Sequence, residues 1–195
     1  LNFYMLVAIS QRNEKHETFG YSDILENNYI NYYEKFGIRL VPIPNSSKNI
    51  KRYFKELPIE GIILTGGGDV NPRIYGQESL YVKNFSELRD STEKSLLEVA
   101  VERGLPVFCE CRGFQFMNVF FGGNLIQSIP EQLKSNIKHL ASTHDVRIID
   151  SKAYELGKTR FTVNSYHNQA INLETFSKEL RAFAISEEDN IIEGI

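Results

Sequence analysis

The stretch VFCECRGFQFMNVFFGG, residues 107–123, holds the only two cysteines of the chain, Cys109 and Cys111, one residue apart at the end of an apolar run. A thiol placed between a buried strand and a helix can act as a nucleophile. The sharp turn exposes the side chain, the helix N-terminus favours its thiolate, and unpaired backbone N–H groups there can hold an oxyanion. Cys111, followed by Arg112, Gly113 and the apolar helical segment 114–121, has that position. Cys109 falls two residues earlier, on the strand, where packing is its role. Two other readings compete with this one. Both thiols could simply be buried, or the C-x-C pair could hold a metal, although two thiolates without nearby clustered His or Cys leave a zinc shell unfilled. A disulfide does not suit the Cα and Cβ geometry of so close a pair, so reduced thiols in a reducing compartment are expected.

The elements that must position Cys111 follow from hydrophobic periodicity. Residues 6–9 read as a buried strand; residues 25–36 have apolar residues at helical spacing and stop at Gly37; residues 38–43 form a second strand, 49–56 a helix and 61–64 a third strand. That third strand runs into Gly66, Gly67 and Gly68. A helix over 91–103, with Leu96, Leu97, Ala100 and Val101 on one face, leads through Gly104 to a fourth strand over 106–109. Strands apolar on both faces that alternate with helices predict an α/β fold with a mostly parallel sheet and an active site beyond the strand C-termini. Short strands over 146–149, 160–164, 181–186 and 191–195, separated by polar turns, predict an antiparallel extension of the same sheet. No linker or repeat interrupts the chain, so residues 5–195 are read as one domain and residues 1–4 as leader or tag.

Composition narrows the function class. The chain has 195 residues, 22 Lys and Arg against 25 Asp and Glu, and no basic face for nucleic acid. Its apolar runs are far shorter than the ~20 residues of a membrane span, and its first residues lack the pattern of a signal peptide. A cytoplasmic protein without membrane or nucleic-acid partners is expected.

Four blocks carry a resemblance: GIILTGGGDVNPRIYG, LRDSTEKSLLEVAVERGLPVFCECRGFQFMNVFFGGNLIQ, FTVNSYHNQAI and EEDNIIEGI, in order along nearly the whole chain. Together they resemble the class I glutamine amidotransferase-like family, and most of all its γ-glutamyl peptide and γ-glutamyl-aminobutyrate hydrolase branch. The resemblance implies a flavodoxin-like three-layer α/β/α fold. It also implies cysteine-dependent hydrolysis of a small γ-glutamyl amide through a glutamyl thioester, without metal or organic cofactor. The family's G-x-C-R-G turn is matched by residues 109–113, which makes Cys111 the implied nucleophile and puts Cys109 where the family has glycine. Glu110 stands where the family has an aliphatic residue; a carboxylate facing the thiol would raise its pKa, so Glu110 is expected to point away.

Glycines can turn their amides toward a bound group without side-chain interference. A lone Gly-Gly-Gly reads as a tight turn, but Gly66, Gly67 and Gly68 with the N–H of Arg112 resemble an oxyanion hole, with Asp69 and Asn71 ordering the loop. Gln115 resembles the residue that meets the glutamyl end of the substrate, its alternative being a polar group facing water. Asn164, Ser165 and His167 resemble the substrate-side segment, and Arg89 with Asp90 a structural ion pair.

A cysteine nucleophile needs a histidine to carry its proton and an acceptor to orient that histidine. His16 sits in the polar stretch NEKHET and reads as solvent-facing; His139 and His144 read as surface or strand-end residues. His167 is the in-chain candidate. The resemblance implies a different base, in a His-Pro-Glu triplet on a later strand, past the segment matched by IIEGI and so beyond Ile195. Three readings follow. The sequence is cut short at Ile195, before a final strand and helix; His167 is the base, oriented by Gln169 or a distant carboxylate; or the protein binds γ-glutamyl compounds without cleaving them. A glutaminase that hands ammonia to a synthase partner is the runner-up within the fold, and a homodimer is a further assembly open to it.

Overall fold

The computed structural model describes residues 4–46, 48–133, 135, 137–150 and 157–195, so all but Tyr4 of the expected leader lies outside the described residues. The chain divides into two compact units, residues 1–70 with 84–117 and residues 71–83 with 118–195.

The first unit contains, in chain order, β1 (Met5–Ile9), β2 (Arg12–His16), β3 (Gly20–Ile24), α1 (Asn27–Tyr33), β4 (Ile38–Pro42), α2 (Ile50–Glu56), β5 (Gly61–Leu64), α3 (Glu87–Arg103), β6 (Val107–Cys109) and α4 (Arg112–Phe120), the last running on into the second unit. Four strands form a parallel sheet in the order β4-β1-β5-β6. Strand order reverses between β1 and β5, which opens a crevice beyond their C-terminal ends, the usual ligand position in doubly wound sheets. All of β5 and Val7–Ile9 of β1 are buried, as unbroken apolar runs require. Gly37 closes the turn after α1 with φ 71°, left-handed backbone that glycine adopts without cost.

Two elements depart from the sequence expectation. The polar segment holding His16 is half of a hairpin, β2 paired with β3, which no alternation of apolar residues announced. Helix α3 begins at Glu87, four residues before the expected Ser91, and the Ser86 side chain caps it by accepting from the Arg89 N–H at 3.3 Å. On its apolar face Val99 is buried, whereas Val101 is 63% exposed.

In the second unit Asn71 caps a 3-10 turn over Pro72–Tyr75, its Oδ1 accepting from the Arg73 N–H at 3.1 Å. Helix α5 (Ile129–Gln132) precedes β7 (Leu140–Ile148), β8 (Arg160–Tyr166), β9 (Ala184–Ser186) and β10 (Ile192–Gly194). The expected strand over 191–195 is thus shorter at both ends, and Ile195 follows it half-buried. Among the described residues these strands form an antiparallel sheet of their own in the order β10-β9-β7-β8, where the sequence predicts an antiparallel extension of the same sheet. β7 starts earlier than the sequence suggested, through an irregular register at Ala141, whose φ is 54°. Ile126, Ile129, Ala170 and Ile191 make the core of this unit. Among the described residues no helix is long and apolar enough to cross a membrane.

Candidate active site

The first unit places Cys111 on the turn between β6 and α4. Its φ is 50°, a left-handed conformation that costs a non-glycine residue on the order of 1 kcal/mol and throws the side chain outward. The turn is held at both ends: the Glu110 N–H donates to the Leu64 carbonyl at 3.0 Å, and the Gln115 N–H donates to the Cys111 carbonyl at 3.1 Å. Gly113 lets α4 approach β5, since a Cβ there would lie 2.4 Å from the Leu64 oxygen. Both cysteines are free thiols, Cys111 exposed and Cys109 half-buried on the strand.

The glycine run lies against this turn: a Cβ on Gly66 would be 3.4 Å from the Cys111 Cβ. Gly67 and Gly68 have φ of 83° and 72°, open to glycine and strained for other residues. The buried Arg89 guanidinium gathers the loop carbonyls, donating to those of Thr65 at 2.6 Å, Gly66 at 3.0 Å and Gly67 at 2.5 Å. With the carbonyls drawn to Arg89, the Gly67 and Arg112 amides are left to favour the Cys111 thiolate. The Gly66 N–H is already given to the Tyr29 hydroxyl at 3.2 Å. Of the three glycines, Gly67 is therefore the one whose amide favours the thiolate.

Arg89 and Asp90 do not pair with each other, because adjacent residues on a helix point in different directions. Arg89 Nε donates to Glu93 at 2.8 Å, and Arg112 donates to both Asp90 and Glu93. The Arg112 side chain is 1% exposed, so only its backbone faces the thiol. Ser10 Oγ donates to Glu93 at 2.9 Å, which ties the end of β1 to the same network. Burial alone would raise the Glu93 carboxyl; Arg112 and Arg89 outweigh it and hold the group below its ordinary value. Gln115 is 5% exposed, which removes the reading of a water-facing polar group.

Glu110 is turned to Tyr29, accepting from its hydroxyl at 3.3 Å, yet it remains near enough to act on the sulfur. Desolvation pushes the Cys111 thiol above its ordinary value, the Gly67 and Arg112 amides oppose that, and the Glu110 charge adds to it. Less thiolate is then present at neutral pH, and removing the carboxylate restores some. Glu110→Gln is expected to alkylate with iodoacetamide a few-fold faster at pH 7, with its rate–pH profile moved to lower pH. An unchanged profile would mean that Glu110 has no hold on the thiol.

In the second unit the substrate-side candidates separate. Asn164 is exposed on β8, whereas Ser165 is buried and donates to the His139 carbonyl at 2.9 Å. His167 is turned inward: its Nδ1 lies 2.9 Å from the Gln169 carbonyl and its Nε2 3.6 Å from Glu193 Oε1. Gln169, one of the orienters expected for His167, meets it through its backbone carbonyl, and the carboxylate on the other ring nitrogen is Glu193. The triplet that the resemblance implies beyond Ile195 lies outside the described residues. His139 and His144, expected at the surface or a strand end, are both buried. His16 is exposed on β2. The sequence analysis names no role for Tyr29, Glu93 or Glu193, since Tyr29 meets Glu110, Glu93 meets Arg112 and Ser10, and Glu193 meets His144 across long stretches of chain.

The model of the family described as Peptidase C26 matches residues 5–195. Among curated relatives, the glutamine amidotransferase-like protein YvdE of Lactococcus lactis is 32% identical over 176 residues, 86% of this chain and 72% of that protein. The gamma-glutamyl-CDP-amidate hydrolase of Campylobacter jejuni is 29% identical over 154 residues, 78% of this chain and 62% of that one. The gamma-glutamyl-gamma-aminobutyrate hydrolase of Escherichia coli O157:H7 is 28% identical over 187 residues, 88% and 72% of the two chains. A crystal structure of a glutamine amidotransferase from Methylobacillus flagellatus superposes with a TM-score of 0.56 at 13% identity, over 94% of this chain and 62% of that one. The likeness is one of fold: the three-layer α/β arrangement of class I glutamine amidotransferases, with its mostly parallel sheet and added antiparallel strands.

Proposed function

The chain belongs to the Peptidase C26 family, and we propose that it hydrolyses γ-glutamyl amides with Cys111 as nucleophile. The observation that carries this reading is the left-handed Cys111 on the strand-to-helix turn with the glycine loop packed against it, where a Cβ on Gly66 would lie only 3.4 Å from the Cys111 Cβ. The thiolate attacks the γ-carbonyl carbon, and its oxygen becomes an oxyanion that the Gly67 and Arg112 N–H groups stabilise. The C–N bond breaks, the amine leaves with a proton, and a glutamyl thioester remains on Cys111. Water then attacks the thioester, releasing the γ-carboxylate and returning the thiol. Gln115, buried one turn into α4, anchors the glutamyl part; Gly66 and Gly68 shape the loop rather than donate to the oxygen.

His167 is read as a residue that orders the second unit rather than as the base. Its two ring nitrogens facing Gln169 and Glu193 support that assignment. The proton of the leaving amine then comes from another group. The relatives named as γ-glutamyl hydrolases support a free-standing hydrolase, acting on a small substrate.

The test is glutamate release by the purified protein from γ-glutamyl-p-nitroanilide, γ-glutamyl-aminobutyrate and glutamine, with acid-quenched samples examined by intact-mass spectrometry. Amine and glutamate should appear in equal amounts, with a glutamyl adduct on the peptide that contains Cys111. Release from glutamine alone, and only when a synthase is added, would instead identify a partnered glutaminase. Binding without thiol-dependent release from any γ-glutamyl compound would make it a binding protein.

A further inference from the structure

Three of the four histidines of the chain meet one carboxylate inside the second unit. Glu193 Oε1 lies 3.3 Å from His144 Nε2, 3.6 Å from His167 Nε2 and 4.0 Å from His139 Nδ1. The ring centroid of His139 is 4.6 Å from that of His144 and 4.9 Å from that of His167. We propose that His139, His144, His167 and Glu193 form a structural site for a tetrahedral divalent transition-metal ion of the zinc class.

Distance is the first support. Tetrahedral zinc with bonds of roughly 2.0–2.1 Å holds its donor atoms about 3.4 Å apart. The donor atoms of His139, His167 and Glu193 already lie within 4.8 Å of one another; His144 stands outside that group of three and reaches it through Glu193, 3.3 Å from its Nε2. The first three would hold the ion, and the His144 ring would turn to supply the fourth donor.

Tautomers are the second. A metal-bound imidazole normally gives its other ring N–H to a carboxylate or a carbonyl, which fixes the ring and frees one lone pair. His139 meets Asp189 through Nε2 at 2.9 Å, and its Nδ1 faces the Ser165 hydroxyl at 3.4 Å and Glu193 at 4.0 Å, so a metal there would replace the Ser165 contact. His167 meets the Gln169 carbonyl through Nδ1 at 2.9 Å, which leaves Nε2 toward Glu193. Asp189 is itself held by the Ser135 hydroxyl at 2.6 Å. Both supporting contacts are therefore in place, each on the nitrogen that a metal would not take.

Unsatisfied atoms are the third. The His144 side chain is 1% exposed and neither of its ring nitrogens has a hydrogen-bond partner; Glu193 Oε1 is buried without one as well. Buried polar atoms left unpaired are costly and rare in folded proteins. A proton shared between Glu193 and one imidazole satisfies a single pair, whereas a cation at the centre takes a lone pair from each of the four groups. Three neutral imidazoles and one carboxylate leave one positive charge on the ion, and Asp189 behind His139 balances it.

A four-protein-ligand set in a buried position leaves no open coordination site, which makes the role structural. The ligands come from the residue before β7, from β7, from the residue after β8 and from β10. The ion would fasten β8 and β10, the two outer strands of the antiparallel sheet, to one point. This site is independent of the Cys111 chemistry, so its failure and the failure of the proposed reaction are separable.

Cobalt(II) titration of the whole, chelator-stripped chain tests it, in the wild type and in a Cys109→Ser, Cys111→Ser background. One equivalent of cobalt should give the intense visible bands of a tetrahedral ion in both, and zinc should displace it. His144→Ala and Glu193→Gln should each weaken binding by at least ~100-fold, and Asp189→Asn by ~10–100-fold as an outer-shell partner. His16→Ala should leave binding unchanged. Should a ligand variant fail to fold, the spectrum and stoichiometry of the cysteine-free chain decide alone. Absence of stoichiometric binding, weak six-coordinate bands, or thiolate charge-transfer bands that vanish with the cysteines would overturn the proposal.

Discussion

Cys111→Ala is expected to lower γ-glutamyl hydrolysis by at least ~10⁴-fold, the order found when the nucleophile of such a unit is removed. The fold should survive. Cys111 is exposed and hydrogen-bonded through its backbone, so the substitution removes a sulfur and little packing. The second thiol cannot replace it. Cys109 sits on β6 beside Leu64, and burial together with the nearby Glu93 charge pushes its pKa far above the ordinary thiol range. Cys109→Ala should keep most of the activity. Measuring kcat/KM for both variants, with circular dichroism as the check on folding, decides the assignment. Full activity in Cys111→Ala, or alkylation confined to Cys109, would sink it.

Glu93→Ala is expected to destabilise the fold by ~3–5 kcal/mol, because it leaves buried cations without their counter-charge. The carboxylate is fully buried and accepts from Arg89, Arg112 and Ser10. Without it the two guanidinium groups keep only Asp90 as an anionic partner in the network, and Arg89 is freed from the position in which it grips the glycine loop. The folded-state pKa of Glu93 is lowered, so its contribution is fully present above the unfolded glutamic value of about 4.3 and is lost as pH falls through the depressed value. Urea denaturation at neutral and acidic pH measures both effects. A loss below ~1 kcal/mol at pH 7 would mean that the network is solvated and contributes as little as a surface pair.

The parallel sheet and the nucleophile turn are legible because their signals are local. Gly61–Leu64 is a short apolar run ending in glycines, and Cys111 lies between a strand and an apolar helix; each can be read within a few residues. The hairpin β2–β3 is not legible in this way, since it carries polar residues on both faces and is fixed by contacts such as Asn13 with Asp23 at 2.8 Å. The first turn of α3 misleads for the opposite reason. Arg89 and Asp90 resemble one ion pair, yet Arg89 pairs with Glu93 and Asp90 with Arg112, which also reaches Glu93. Adjacent Arg89 and Asp90 suggested a pair that helical geometry forbids. The histidines escaped because His139, His144, His167 and Glu193 have no ligand spacing along the chain; only the pairing of β7 with β8 and the return of β10 gathers them.

The left-handed backbone at Cys111 bears on how such a chain changes under selection. Glycine is the residue that this φ favours, so Cys111→Gly relieves strain in the same step that removes the sulfur. With Cys111 as the nucleophile proposed above, the inactivating change would lie downhill for stability, and the cysteine would persist only while turnover is selected. A lineage that no longer needed the reaction would be expected to lose this thiol early, keeping the glycine loop, Arg89 and the ion pairs behind it long afterwards, because those hold the fold as well as the site.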